Sequence, residues 1–306
     1  MKKHTSLSVS VGISAYNEAS TLPWLIKSLL NQTCRSFNFE KIIIISDGST
    51  DDTAEVIQRI NSHKLKVIDK KNRAGKTSRV NELFALATSD VLVVLDADIQ
   101  LKENDVLEKL IVPFIHNNDL ACVSGAIAPH SPKNITQKII QTGTKLWDEV
   151  RSNSGSTKDL YYCTGAIRAF RKRLYKEMTF PHISAEDVYP YLYCKVKNYQ
   201  FLVVPDSVVY YETPRTYKDF FKQMRRYLKS KEVLSQHFSS QILASSFSIS
   251  SAGKLRQLVK CLVQNPIWVS AYLVYLLPAH FVIWFTKSTP DKPIWDVIET
   301  SKINEV

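Results

Sequence analysis

Four isoleucines in succession, Ile42-Ile43-Ile44-Ile45, set the tightest constraint on how this chain can fold. A strand with one face in water alternates apolar and polar residues. An unbroken β-branched run therefore belongs to a strand covered on both faces. Val91-Leu92-Val93-Val94-Leu95 has the same character. Leu7, Val9, Val11 and Ile13 alternate as a half-buried strand would, and Leu65-Lys66-Val67-Ile68 supplies another. Helical patterns separate them. Leu22, Leu25, Ile26, Leu29 and Leu30 share one face, as do Val56, Ile57 and Ile60, then Val80, Leu83, Phe84 and Ala87. Ser49 followed by Asp52 reads as a capping box opening the second of these helices. This alternation at short spacing predicts a Rossmann-like α/β fold, a mostly parallel sheet flanked by helices on both faces.

Sheets of this kind bind ligands beyond the carboxyl ends of their strands. The polar segments at those ends are Tyr16-Asn17-Glu18, Ser46-Asp47-Gly48, Asp69 to Lys76 and Asp96-Ala97-Asp98. They come from separate stretches yet converge on one rim. Two carboxylates one small residue apart at a strand end can hold a hard divalent cation, with phosphate oxygens completing its shell. Taken alone, Asp96-Ala97-Asp98 reads more readily as a solvated turn. Beyond Gln100 the pattern predicts a helix over Val106 to Ile115 and a strand near Ala121 to Gly125. Leu160 to Phe170, and the pair Phe201–Val204 and Val208–Tyr211, read as further strands.

The ordered series Ala15-Tyr16-Asn17-Glu18, Ser46-Asp47-Gly48-Ser49-Thr50-Asp51, Arg73-Ala74-Gly75-Lys76 and Asp96-Ala97-Asp98 resembles the family 2 glycosyltransferases of the GT-A fold. Gly125, Cys163-Thr164-Gly165-Ala166, Glu186-Asp187 and Gln223-Met224-Arg225-Arg226-Tyr227 continue the resemblance in the second half. It implies an inverting, metal-dependent enzyme that takes a nucleotide-sugar donor. Tyr16 and Glu18 would border base and ribose, with Asp47 on the uracil edge and Lys76 near the phosphates. Asp96 would meet the ribose or a metal-bound water, and Asp98 would ligate Mg²⁺ or Mn²⁺. Within the acidic pair Glu186-Asp187, Asp187 would be the general base, screened from water and raised in pKa by its neighbour. Arg226 would hold the departing diphosphate, while Gly165 and Tyr227 lie on the acceptor side. The family's processive synthases carry Trp where this chain has Tyr227, and several membrane spans where it has at most one. Transfer of a single sugar is therefore expected.

Competing readings fail on particular residues. A sugar nucleotidyltransferase would open with a glycine-rich loop where Ala15-Tyr16-Asn17-Glu18 stands, and no G-x-G-x-x-G follows a strand as a dehydrogenase requires. A receiver-like domain would account for Asp47, Lys76 and Asp96 but not for the second half of the chain. A catalytically silent, membrane-attached scaffold stays open, although Asp98 and Asp187 are intact. Five scattered cysteines with no C-x-x-C pattern suggest neither a disulfide framework nor a zinc site, and fit a reduced, cytosolic setting. Ser8 and Ser10 break the apolar stretch after Lys2-Lys3, which does not read as a signal-peptide core.

The formal charge of +11 is regional: Pro214 to Lys260 hold ten Lys/Arg against Asp219 and Glu232. This argues against a nucleic-acid binder and is compatible with an anionic membrane surface or a solvated helix face. The expected organisation is a GT-A domain over residues 1–230, a basic helical connector over 231–260, and an apolar, membrane-associated helix with an amphipathic tail over 261–306. Pro266 to Phe285 contains no formal charge, with Trp268 and Trp284 near its ends and Lys260 and Lys287 flanking it. A spanning helix, an interfacial helix and a helix buried against the soluble domain are all open. Pro278, Ser270 and His280 count against a span. The tail around Ile294, Trp295, Val297 and Ile298 reads as a short surface helix. A peripheral or single-pass protein at the cytoplasmic face would be well placed to act on a lipid-linked or glycan acceptor.

Overall fold

The computed structural model describes residues 6–152, 158–247, 249 and 251–285. The chain runs through β1 (Leu7–Ala15), α1 (Leu22–Leu30), β2 (Phe37–Asp47), α2 (Thr53–Gln58), β3 (Leu65–Lys70), α3 (Lys76–Leu86) and β4 (Val91–Asp96). A short β5 (Ile99–Leu101) leads to α4 (Val106–His116), β6 (Leu120–Pro129), α5 (Ile135–Ser152) and α6 (Lys158–Tyr162). Next come β7 (Ile167–Arg171), α7 (Lys172–Glu177), α8 (Tyr189–Val196) and β8 (Gln200–Tyr211). The helices α9 (Tyr217–Leu234), α10 (Ser240–Ser246), α11 (Ser251–Gln264) and α12 (Pro266–Phe285) complete it.

All the strands join one sheet in the order β3-β2-β1-β4-β7-β6-β8-β5. The first four in sequence are parallel, as their pattern predicts. β7 then runs antiparallel between β4 and β6, and β8 lies parallel to β6 with β5 antiparallel on its outer edge. After β3 the chain crosses back to the other side of β1, so a crevice opens between the carboxyl ends of β1 and β4, where Ser14 pairs with Asp96. The isoleucine run is covered on both faces: Ile42 and Ile44 enter a core with α1, α2 and α4. Ile43 and Ile45 enter a second core with α3 and α7. Each buried aliphatic chain of this size contributes about 1.5–3 kcal/mol, so this interior sheet is the rigid platform for its rim.

Three local expectations are corrected. Leu160 to Phe170 is not one strand: Leu160 packs with Leu192 and Leu243 in a helical cluster, and only Ile167–Arg171 joins the sheet. Phe201–Val204 and Val208–Tyr211 are one strand, with a register shift opposite Ser124/Ala126. Pro205 falls at this irregularity, where a missing N–H costs no regular ladder bond. Gly125 makes the bend possible, since a Cβ there would come within 2.6 Å of the Ser207 carbonyl oxygen. Ser49 is not the cap of α2. The Asp51 carboxylate accepts the Thr53 N–H at 3.1 Å, and Ser49 Oγ instead accepts the Asn17 N–H at 3.1 Å.

The C-terminal helices form a second layer with α5, and α9 runs straight through residue 230. Val269 and Tyr272 of α12 are buried among Ile139, Ile140, Leu146 and Phe220. The Tyr272 ring lies over Gly143, where a Cβ would be only 2.0 Å away, and its hydroxyl accepts from Trp147 Nε1 at 3.1 Å. The spanning alternative for Pro266 to Phe285 is not borne out: among the described residues no helix is long and apolar enough to cross a membrane. One face of α12 is committed to protein. Lys287, the Trp284 side chain and the tail around Trp295 lie outside the described residues.

Gly143→Ala is expected to lose about 1–2 kcal/mol of stability in denaturant unfolding, overpacking outweighing the gain in helix propensity. An unchanged midpoint would show that α12 does not seat on α5 through this notch.

Candidate active site

Two loops are laced together at the mouth of the crevice. Asn17, just past β1, takes a left-handed φ of 56°. Its Nδ2 donates to Thr50 Oγ1 at 3.1 Å while its Oδ1 accepts the Thr50 N–H at 2.8 Å. Glu18 is buried, and its carboxylate accepts from Thr21 Oγ1 at 2.6 Å. Gly48, at φ 69°, brings the turn after β2 against the loop before α3, since a Cβ there would be 2.8 Å from Arg73 N. Tyr16 presents its ring face to Arg73, with the guanidinium carbon 3.9 Å from the centroid.

Asp47 ends β2 and is 4% exposed. Its carboxylate accepts the N–H groups of Ala74 and Gly75, each at 2.8 Å, and pairs with Arg79 Nε at 2.6 Å. Its main work in this structure is to hold the loop that starts α3. Gly75, at φ 88°, caps that helix, and Lys76 is its first residue.

A chain of charges runs inward from there. Lys76 Nζ lies 2.6 Å from Asp96 Oδ1 at the end of β4 and 2.5 Å from Glu186 Oε1. On its other oxygen, Glu186 accepts from Arg168 Nη2 at 2.6 Å. Arg168 stands in β7, is 0% exposed, and also donates to the Glu186 carbonyl at 2.9 Å. Its guanidinium lies between the rings of Phe170 and Phe180. Burial alone would raise the Glu186 carboxyl, but Arg168 and Lys76 outweigh it and hold it well below the usual carboxylate range. Burial also opposes the charge on Lys76, yet Asp96 and Glu186 keep it protonated above the ordinary lysine range.

Asp187 is the neighbour that feels all of this. Burial first, and then the ionised Glu186, push its carboxyl up to about 7. Its carbonyl accepts from Cys163 Sγ at 3.0 Å, and burial pushes that thiol up to about 12, so it stays a donor. Gly165 closes the pocket floor: a Cβ there would be 2.2 Å from Asp187 Oδ1 and 3.1 Å from Lys76 Nζ. A side chain at this position would displace the Asp187 carboxylate. From above, α9 brings Tyr227, whose phenol is raised by burial, opposed by Arg226 and raised further by Asp187. The Arg226 guanidinium carbon is 5.6 Å from the Tyr227 ring centroid.

The structure thus brings Lys76, Asp96, Gly165, Glu186 and Asp187 together, with Tyr227 and Arg226 beside them. Tyr16, Glu18 and Asp47 line the neighbouring loops, Asp47 turned toward α3. Asp98 follows on the turn between β4 and β5. Among the described residues no group of three or more His, Cys, Asp or Glu side chains could hold a metal ion. Asp96 and Asp98 still offer hard carboxylate oxygens, the donor type Mg²⁺ or Mn²⁺ takes when one or two carboxylates and phosphate oxygens share its shell. Arg168 and Arg79 escaped the reading of the sequence. Each carried one signal, a cation at a position that strand alternation beside Phe170, or helix periodicity beside Leu83, assigns to the core.

Comparison with known proteins places this fold in a family. The family model for glycosyl transferase family 2 matches residues 10–179, more than half of the chain. The chain is 26% identical over 249 residues to a poly-beta-1,6-N-acetyl-D-glucosamine synthase of Staphylococcus epidermidis, covering 79% of this chain and 59% of the relative. For the synthase of Staphylococcus aureus strain COL the figures are 25% over 272 residues, 86% and 63%. The chain therefore spans about three fifths of the length of these relatives. Among solved structures, a mannosyltransferase from Pyrobaculum calidifontis in complex with GDP-Man and Mn²⁺ superposes with a TM-score of 0.61 at 16% identity, covering 90% of this chain and 78% of that one. Glucosyl-3-phosphoglycerate synthase from Mycobacterium tuberculosis, in complex with Mn²⁺, UDP and glucosyl-3-phosphoglycerate, gives 0.51 at 14%, covering 75% and 80%. The fold is the GT-A fold, and with the family match over the crevice-forming half, this chain belongs to glycosyl transferase family 2.

Proposed function

We propose that the protein is an inverting glycosyltransferase that moves one sugar from a UDP-sugar to a lipid-linked or glycan acceptor at the cytosolic face of a membrane. The observation that carries this reading is Asp187, an acid raised to about 7 by burial and by Glu186, within the cluster of Lys76, Asp96 and Gly165. An unperturbed aspartate is too weak a base near neutrality; this one is matched to the task. In the proposed step Asp187 takes the proton of an acceptor hydroxyl as that oxygen attacks the anomeric carbon. The bond from that carbon to the diphosphate breaks, and its electron pair leaves with the nucleoside diphosphate. Attack from the opposite side inverts the anomeric centre. Arg226 and Lys76 supply positive charge toward the departing group. Asp98, with Asp96 beside it, would hold Mg²⁺ or Mn²⁺, which when bound neutralises diphosphate charge. Tyr16 and Glu18 border base and ribose. Asp47 has about four acceptor sites and gives three to the α3 loop, which leaves one for the uracil edge.

The beta linkage in the relatives' names supports an inverted product and a sugar of the N-acetylglucosamine kind. Those names also favour a second reading, repeated transfer to build a polymer. Tyr227, in place of the tryptophan of processive synthases, supports the single transfer, and product length separates the two. A silent scaffold would bind the nucleotide without turnover.

Binding, catalysis and stability each test this reading. UDP with Mn²⁺ should raise the unfolding midpoint, by about 2.7 kcal/mol of stabilisation at a hundred times Kd, and Asp98→Ala should lose that gain. Equal stabilisation of the variant would remove Asp98 from the metal site. Asp187→Asn should lower kcat/KM by about 10²–10⁴-fold, while the native enzyme's kcat/KM rises with pH and levels off above about 7. Because folding raises this pKa, the native carboxyl costs stability as pH climbs toward about 7. Asp187→Asn should therefore raise the unfolding midpoint near neutrality and above, and raise it less in mild acid. A variant that loses activity and also unfolds more easily above neutrality would contradict the assignment.

A further inference from the structure

One face of the C-terminal layer exposes large apolar side chains among the described residues. Leu255, Val259 and Val263 recur every fourth residue on α11 and are 62%, 51% and 79% exposed. The next helix continues the surface with Ile267, Val274, Leu277 and Phe281, all more than 60% exposed. Their opposite sides, through Cys261, Val269 and Tyr272, are buried against α5 and α9. Seven large apolar side chains on two consecutive helices exceed the scattered exposure that a soluble surface normally carries.

Charge decides what this face fits. α11 carries Lys254, Arg256 and Lys260 and no acid, and α12 carries no formal charge at all. Lys260 lies 3.4 Å from Glu149 of α5, which leaves Lys254 and Arg256 as exposed cations on the helix with the apolar stripe. Lys138 stands over the Trp268 ring at 4.1 Å, an aromatic and a cation at the start of α12. An amphipathic helix with apolar residues on one side and Lys/Arg along its margin is built to lie in a headgroup layer. A second copy fits less well, because two such faces would bring cations against cations.

We propose that α11 and α12 dock the protein on an anionic phospholipid surface, with α12 lying along the interface and its other side still packed on α5 and α9. This deepens the membrane-face part of the reading above. It also bears on the acceptor, since a domain held in this way can meet a lipid-linked hydroxyl without a channel.

The test is sedimentation of the full chain with vesicles of phosphatidylcholine alone and of phosphatidylcholine mixed with phosphatidylglycerol. No donor is added, so failure here leaves the transferase reading standing. Binding to the mixed vesicles, weaker at high salt and nearly absent with phosphatidylcholine alone, is the expected result. Lys254→Gln with Arg256→Gln should weaken it on the order of thirtyfold. Leu255→Glu on α11 and Leu277→Glu on α12 should each abolish it with the cations intact, and both positions are exposed enough for the fold to survive, as thermal unfolding will verify. Undiminished binding by the glutamine pair, or by both glutamate variants, would overturn the proposal. So would a dimer in light scattering that Val263→Glu dissociates while vesicle binding persists.

Discussion

The pairing of Arg168 with Glu186 is the interaction from which the site's chemistry follows. Both groups are withdrawn from water, and a buried charge without a partner costs several kcal/mol, so each makes the other tolerable. The guanidinium also grips the backbone at Glu186, which fixes the position of the residue that follows. Glu186 thereby stays ionised beside Asp187, and Asp187 becomes the group that is driven toward neutrality. Without Arg168 the acidic pair would share its proton differently, and the carboxyl proposed as the base would lose both its position and its tuning. Lys76 extends the same network outward to Asp96, so the buried acidic pair and the end of β4 are joined through one ammonium group.

This arrangement needs backbone in places where side chains would intrude. Gly165 leaves room for the Asp187 carboxylate, and Gly48 lets two loops touch above the sheet. The loop before α3 is held by Asp47, whose carboxylate takes two backbone N–H groups and Arg79. These loops rest on a sheet buried on both faces, which gives them a fixed reference. Rigidity in the strands and precision at their ends are two aspects of one design.

The parallel half of the sheet was legible in the sequence because Ile42–Ile45 and Val91–Leu95 allow only a strand covered on both sides. The rim could be read too, since polar residues after such strands have to emerge at one edge. Arg168 and Arg79 could not be, because a charged residue's name does not reveal the partner that makes its burial affordable. Phe201 to Tyr211 looked like two strands because Pro205 interrupts the pattern, and only the notch at Gly125 makes the bend a continuation. The C-terminal segment is apolar on every side. Its division into a packed and an uncovered face depends on Gly143 receiving Tyr272, a contact that no periodicity encodes.

The central claim is that Asp187 activates a hydroxyl for a single displacement at the anomeric carbon. Proton NMR of the sugar first released when the protein slowly hydrolyses an α-linked UDP-sugar, with water as acceptor, tests it without knowledge of the natural acceptor. The β-anomer should appear first and then equilibrate. If the α-anomer accumulates first, the displacement is not single, and the role given to Asp187 is wrong.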